Sequence, residues 1–406
     1  MSEHHKSRAS NTSPGQAGLT ALLPIMSAVF VAFLVIGMGI PVLPLHVHQG
    51  LGLGTFLVGL VTGSQFAAAI LSRVWAGRHS DARGPKKAVI AGLAIGAASG
   101  VLYMLSLTAG SRPEVSVTIL LLGRLLLGVG ESFIITGGQS WALAILGVRN
   151  TSKAIAWIGS AMFAAFAAGA PIGSAIYARF GFSGLAVTTA ALPLVTLLCV
   201  APLRGVAAIP RQQAGFMKVM ASVWLPGLGA ALSSIGFGAI TAFSALLFVA
   251  RGWAAWPAFT VFAVIFILAR LLLAHLADRF VAPKVALLSV LVEAVGLALL
   301  AVSPSLAAAL AGAALTGFGY SLVYPGLGVE AVRFVPPQNR GLAMGAYTAF
   351  LDVALGFGTP GLGFLAERAG LGSVFVASMM AALGAAGIAG FLLNKSRGLR
   401  EQRLPA

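Results

Sequence analysis

Gly77-Arg78-His79-Ser80-Asp81-Ala82-Arg83-Gly84-Pro85-Lys86-Lys87 sets one acid, four bases and two glycines between two long apolar runs. Its surroundings return later in the chain. Leu71-Ser72-Arg73 leads to Asp81, with Pro85 and Lys86 behind, and Leu268-Ala269-Arg270 leads to Asp278, with Pro283 and Lys284 behind. The Arg and the Asp both recur 197 residues on, in a chain of 406. A period near half the chain length means two copies of one unit, and in a chain this apolar the unit is a bundle of membrane helices.

Composition supports that reading. Hydrophobic residues make up 58% of the chain and charged residues 9%, against roughly 25% charged in soluble domains. The net charge of +16 comes without a basic stripe interleaved with stacking aromatics, so nucleic acid is not an expected partner. The single cysteine, Cys199, excludes an intrachain disulfide and a Cys-rich metal site. No phosphate-cradling loop, catalytic triad spacing or metal-ligand cluster is present, so neither an enzyme nor an ATP-driven pump is expected, and no cofactor.

A span needs about 20 mainly apolar residues. Twelve stretches qualify: 19–43, 54–76, 86–109, 116–140, 153–177, 184–203, 222–249, 255–276, 283–303, 306–329, 341–365 and 372–394. These lengths exclude barrel strands and predict an all-α membrane protein. Lys and Arg in alternate loops number 19 on one side and 4 on the other. The basic side is expected to face the cytoplasm, together with both termini. The expected organisation is a tail at 1–18, a six-helix bundle at 19–203, a linker at 204–221, a second bundle at 222–394 and a tail at 395–406. Gly169-Ala170-Pro171 with Arg179 and Gly181 also matches Gly358-Thr359-Pro360 with Arg368 and Gly370, at a constant offset of 189.

This layout, with an acid-containing turn after the second and eighth helices, resembles the major facilitator superfamily. The family's loop pattern Gly-x-Leu-Ala-Asp-Arg-x-Gly-Arg-Lys is met at Gly77, Asp81, Gly84 and Lys86, with Arg83 nearby, and departs at His79, Ala82 and Pro85. In the second copy Leu276, Ala277, Asp278 and Arg279 match, without the glycine. The resemblance implies two pseudo-symmetric six-helix bundles and makes Gly77, Asp81, Arg83, Gly84, Lys86, Asp278 and Arg279 gating candidates. Physically, a carboxylate at a helix end can hold a neighbouring dipole or base only while the halves are closed on that side.

Six ionisable residues fall inside predicted spans, and each needs a partner or water. Arg124 and Glu131 are seven residues apart, hence on one helix face. Gly123 to Gly130 is similar to the superfamily's fourth-helix Arg-x-x-x-Gly motif, which implies proton coupling. Asp352 lies mid-span with no base on its own helix nearby, and desolvation favours its neutral form, which makes it the carrier candidate. By depth, roughly 12 to 14 Å from the cytoplasmic side at 1.5 Å per residue, Arg270 could pair with Glu293. The same depth would let Arg73 meet Glu131 and leave Arg124 freer for substrate. Gln65, Gln139, Trp141, Tyr320, Tyr324 and Tyr347 are the candidates to line a central cavity.

Gly317 to Pro325 and Tyr347 to Gly358 are similar to the bacterial YhhS/YfcJ-type efflux subgroup. Together these residues lead us to expect a proton-driven exporter of a small sugar-like or drug-like solute in a bacterial inner membrane. It should work by alternating access as a monomer, with lipid, solute and protons as its partners. Proton-coupled uptake remains open, because the same charges serve either direction, as does a non-transporting receptor or scaffold. Orientation is directly testable. With Cys199 replaced by serine, cysteines at Asp81 or Asp278 should react with a membrane-impermeant thiol reagent from the cytoplasmic side alone. Labelling of either from outside sealed cells would break the topology.

Overall fold

The computed structural model describes residues 14–146, 151–206, 216–273, 281–333, 335 and 340–401. They form eleven α-helices, as expected where lipid leaves backbone groups no partner but one another. The first five are α1 (Pro14–Leu45), α2 (Thr55–Arg83), α3 (Pro85–Thr108), α4 (Pro113–Leu146) and α5 (Thr151–Val200). The others are α6 (Phe216–Ala250), α7 (Pro257–Leu273), α8 (Ala282–Val302), α9 (Leu306–Val332), α10 (Arg340–Ala369) and α11 (Leu371–Glu401). A π-helical turn, His46–Gly50, prolongs α1. Among the described residues, ten helices are long and apolar enough to cross a membrane.

The predicted gap between the fifth and sixth spans shrinks to one residue. The 50-residue α5 is helical throughout except at Gly181, with φ 63° and ψ −160°. Gly370, its partner in the 189-residue repeat, has φ 79° and separates α10 from α11. Both copies use glycine where the chain must turn through positive φ, a region that penalises any Cβ. The expected loop around Asp81 is likewise helical. Only Gly84, at φ 92°, separates α2 from α3; its N–H donates to Ser80 O at 3.0 Å and Pro85 opens the next helix. Val281 takes that place in the second copy with an ordinary extended backbone, φ −65° and ψ 110°, which explains why no glycine is needed there.

Helix pairing repeats between the halves. In the first, α1 packs on α5, α2 on α4, and α3 on both α4 and α5; in the second, α6 packs on α10, α7 on α9, and α8 on both α9 and α11. The outer surface carries Leu71, Leu198, Leu271, Leu272 and Phe357, all strongly exposed. Large apolar side chains in such numbers suit a lipid-facing belt.

The halves meet mainly through α2 against α10, and α5 against α7. Small residues set the first contact: a Cβ on Gly59 would lie 2.4 Å from Thr359 O, and one on Gly363 would lie 2.3 Å from Thr55 O. Thr55 Oγ1 donates to Gly363 O at 2.9 Å, and the Phe56 N–H donates to Glu367 Oε1 at 3.0 Å. On the α5 side, Phe163 meets Phe266 with ring centroids 4.3 Å apart. The α2–α10 contacts close the end of the molecule at which Gly370 lies, while Phe163 and Phe266 meet nearer its centre. Toward the Gly84 end, beyond Arg73, no hydrogen bond, ion pair or ring contact joins α2 to α10 among the described residues. Val74 and Trp75 are exposed there, and a Cβ on Gly77 would meet nothing within 4 Å.

Gly59→Val should therefore part the closed end. A cysteine at Thr55, buried in the native packing, should gain reactivity toward an impermeant maleimide, whereas Gly77→Ala should change nothing. Unchanged labelling in an intact Gly59→Val protein would show that the small-residue contact does not hold the halves together.

Candidate functional site

Arg73 on α2 and Asp352 on α10 form an ion pair, Nη2 to Oδ2, at 2.7 Å. Their side chains are 31% and 12% exposed, so the pair sits at the inner limit of the closed seam with the arginine still reachable from the parted side. Sequence depth had suggested Arg73 with Glu131 and a partnerless Asp352. The structure corrects both expectations. The small residues of the seam, with Gly356 held 3.1 Å by its would-be Cβ from Ala67, bring α10 close enough for the acid of one half to reach the base of the other.

Glu131 lies beside this pair, near enough for its charge to act on Arg73, Arg124 and Asp352. Its Oε2 accepts from Gln65 Nε2 at 2.5 Å. Gln65 is fully buried where α2 and α4 touch most closely, a Cβ on Gly128 falling 2.0 Å from Gln65 O. Arg124 is not held out for a ligand. It is 3% exposed, its Nε donating to Val61 O at 3.1 Å, one terminal nitrogen to Thr62 O at 3.4 Å and the other to the Tyr103 hydroxyl at 3.5 Å. A planar fork of five donors is the side chain best suited to such a clamp among α2, α3 and α4.

Arg270 and Glu293 do not pair. Glu293 on α8 is fully buried and accepts from Ser233 Oγ at 2.5 Å on α6, turned away from α7. The Arg270 guanidinium instead lies over three ring faces, 5.5 Å from Phe163, 5.8 Å from Phe266 and 5.9 Å from Tyr324. Equal depth in the membrane placed the two charges in one layer, but the helix azimuths point them apart.

The cavity candidates divide. Tyr320 stacks on Phe237 at 5.4 Å, and its hydroxyl meets Ser234 Oγ at 3.1 Å. The Tyr324 hydroxyl meets Thr348 Oγ1 at 2.8 Å, and Tyr347 donates to Tyr324 O at 3.0 Å. All three tyrosines therefore join the Arg270 side of the centre. Gln139 is exposed on α4 and Trp141 is buried within the first half, so neither meets this cluster. Of the gating candidates, Asp81 and Arg83 are exposed at the end of α2 and make no ion pair among the described residues. Lys86 donates to Ala201 O at 2.7 Å and also to Leu203 O, completing carbonyls just past the end of α5. Asp278 and Arg279 lie outside the described residues.

Several residues of the centre carried no expectation. Ser233 and Ser234, adjacent hydroxyls inside an apolar run, were a legible signal of polar contact. Phe163 and Phe266 were not distinguishable from packing aromatics.

The sequence model of the Major Facilitator Superfamily matches residues 25–256 and 227–406. An uncharacterized MFS-type transporter of Salmonella typhimurium is 41% identical over 375 residues, 92% of this chain and 97% of the relative. One of Pseudomonas aeruginosa is 40% identical over 404 residues, covering 95% and 98%. Among solved structures, the nucleoside transporter NupG aligns with TM-score 0.73 and 15% identity over 91% of this chain and 98% of its own. A bacterial homolog of the human lysosomal transporter Spinster aligns with TM-score 0.72 and 17% identity over 98% and 100%. Such identities speak for the fold. The family match across both halves, together with near full-length relatives, shows that this chain belongs to the Major Facilitator Superfamily and is a multi-pass membrane transporter of the secondary type.

Proposed function

We propose that the protein exports a small organic solute from a bacterial cell in exchange for protons, by alternating access between its two halves. The efflux subgroup resembled by Gly317 to Pro325 supports the direction. With α5 counted twice across Gly181 and α7 as a span, the chain crosses the membrane twelve times, both termini and the Gly84 end facing the cytoplasm. The positive-inside bias supports this orientation. The conformation is then closed to the outside and open to the cytoplasm, with the chain acting as a monomer in the inner membrane.

One observation carries this reading: Arg73–Asp352 is the ion pair between described residues that joins the halves. A proton on Asp352 removes one charge of the pair and weakens the inner limit of the closed seam. Arg73 cannot follow by losing its own proton, so protonation acts as a switch at one atom of one helix. Glu131 and Gln65 stand beside Arg73 and can take up part of its charge when Asp352 is neutral. In this conformation Asp81 is exposed, and it would find a partner when the halves close at the Gly84 end.

Proteoliposomes test the proposal. Labelled solute should accumulate in vesicles loaded with acid, where outward proton flow drives exchange; accumulation in alkaline-loaded vesicles would identify uptake by symport instead. Asp352→Asn should abolish the gradient-driven component while keeping counterflow, which moves no net proton. Normal uphill flux with normal pH dependence in that variant would exclude Asp352 as carrier and pass the role to Glu131. Arg124→Lys, by contrast, should lower the melting temperature in detergent, because an ammonium cannot span two carbonyls and a hydroxyl. An unaltered melting temperature would remove Arg124 from the clamp.

A further inference from the structure

Every described carboxylate in the centre is engaged. Asp352 faces Arg73, Glu131 faces Gln65 and Glu293 faces Ser233. Arg270 is the cation left over. Its five N–H donors have no acceptor among the described residues, and it cannot neutralise itself by deprotonation. Three aromatic faces do surround it, but a ring face holds a cation only weakly and offers no carboxylate to receive its N–H groups. That is a weak substitute for an anion.

The cage also has a composition. Phe163 comes from α5 in the first half, while Phe266 and Tyr324 come from α7 and α9 in the second. Phe237 and Tyr320 continue the apolar wall, Tyr320 with ring centroids 5.8 Å from Phe266. Tyr324 is bonded through its hydroxyl to Thr348, one helical turn before Asp352 on α10. The Arg270 cage and the Arg73–Asp352 pair are thus neighbours within one central region.

We propose that Arg270 is the anion-recognition residue of the transport site and that the solute is a monocarboxylate with an aromatic or comparably flat apolar body. The proposal rests on the transport reading above and adds the substrate class. A carboxylate matches the guanidinium fork with two parallel hydrogen bonds. One unpaired guanidinium balances one negative charge, and the phenylalanine and tyrosine rings offer flat apolar surface to the remainder of the molecule. Because the rings come from both halves, an occupant touches both, and its affinity differs between the conformations. That difference is what a transported solute requires.

Binding by purified protein in nanodiscs tests this, with benzoate, 2-naphthoate and hexanoate as probes and benzamide and benzylamine as the neutral and cationic counterparts. Calorimetry should show the aromatic acids binding and benzamide weaker by roughly 10- to 100-fold, the range for hydrogen bonds to a charged partner. Arg270→Gln should lose that preference for acid over amide, and Arg270→Lys should keep part of it. Tyr324→Leu should lower affinity for 2-naphthoate more than for hexanoate, a readout that survives if the Arg270 variants do not fold. Absence of binding by all three acids overturns the proposal. So does equal binding of benzamide, or an unchanged preference in Arg270→Gln. Acid binding that depends on Arg270 in a protein showing no gradient-driven flux would leave this assignment standing and remove the transport reading alone.

Discussion

A charge in a low-dielectric region must be compensated where it stands, and the Arg73–Asp352 pair meets that requirement across two bodies that can separate. Inside a single bundle such a pair would be scaffold. Between the halves it would, on the proposed reading, couple the ionisation of one oxygen to their relative position. The surrounding seam is built to let it form: Gly59, Gly63, Gly356 and Gly363 remove the side chains that would hold α2 and α10 apart. Without that approach Asp352 would lose its partner and need water at the centre of the chain.

Other buried charges are settled locally, which leaves the centre with few free terms. Arg124 is consumed by backbone carbonyls and a tyrosine, Glu131 by Gln65 and Glu293 by Ser233. These contacts lie within one half and move with it. On the proposed alternating-access reading, what changes between conformations is then confined to the seam and to the aromatic cage shared by α5, α7 and α9. Rigid halves with small residues at their contact make such confinement possible, since close-packed helices shift as units.

The sequence made the fold legible because its signals were local: apolar lengths, alternating basic loops, and repeats at 197 and 189 residues. The 189-residue repeat even marked Gly181 and Gly370, which share a positive φ. The charge partners were less legible. Depth along a helix follows from residue count, but which neighbour a side chain meets depends on helix rotation and on which helices touch. Arg73 and Glu131 shared a layer, yet the acid of α10 entered from the other half. Arg270 and Glu293 shared a layer, yet faced different helices. Arg124 matched a motif associated with proton transfer, and nothing in its spacing revealed three acceptors on α2 and α3. Gly356 and Gly363 fall in the eleventh predicted span, and nothing in their spacing revealed that they would face α2.

The central claim is that a proton on Asp352 releases the seam. Spin labels at Phe56 and Arg368, on opposite sides of the closed Gly370 end, would report their separation by pulsed electron paramagnetic resonance across a pH series in nanodiscs. The account predicts a longer-distance population that grows as pH falls in the native protein, and a pH-independent mixture in Asp352→Asn. The same pH dependence in both proteins would contradict it.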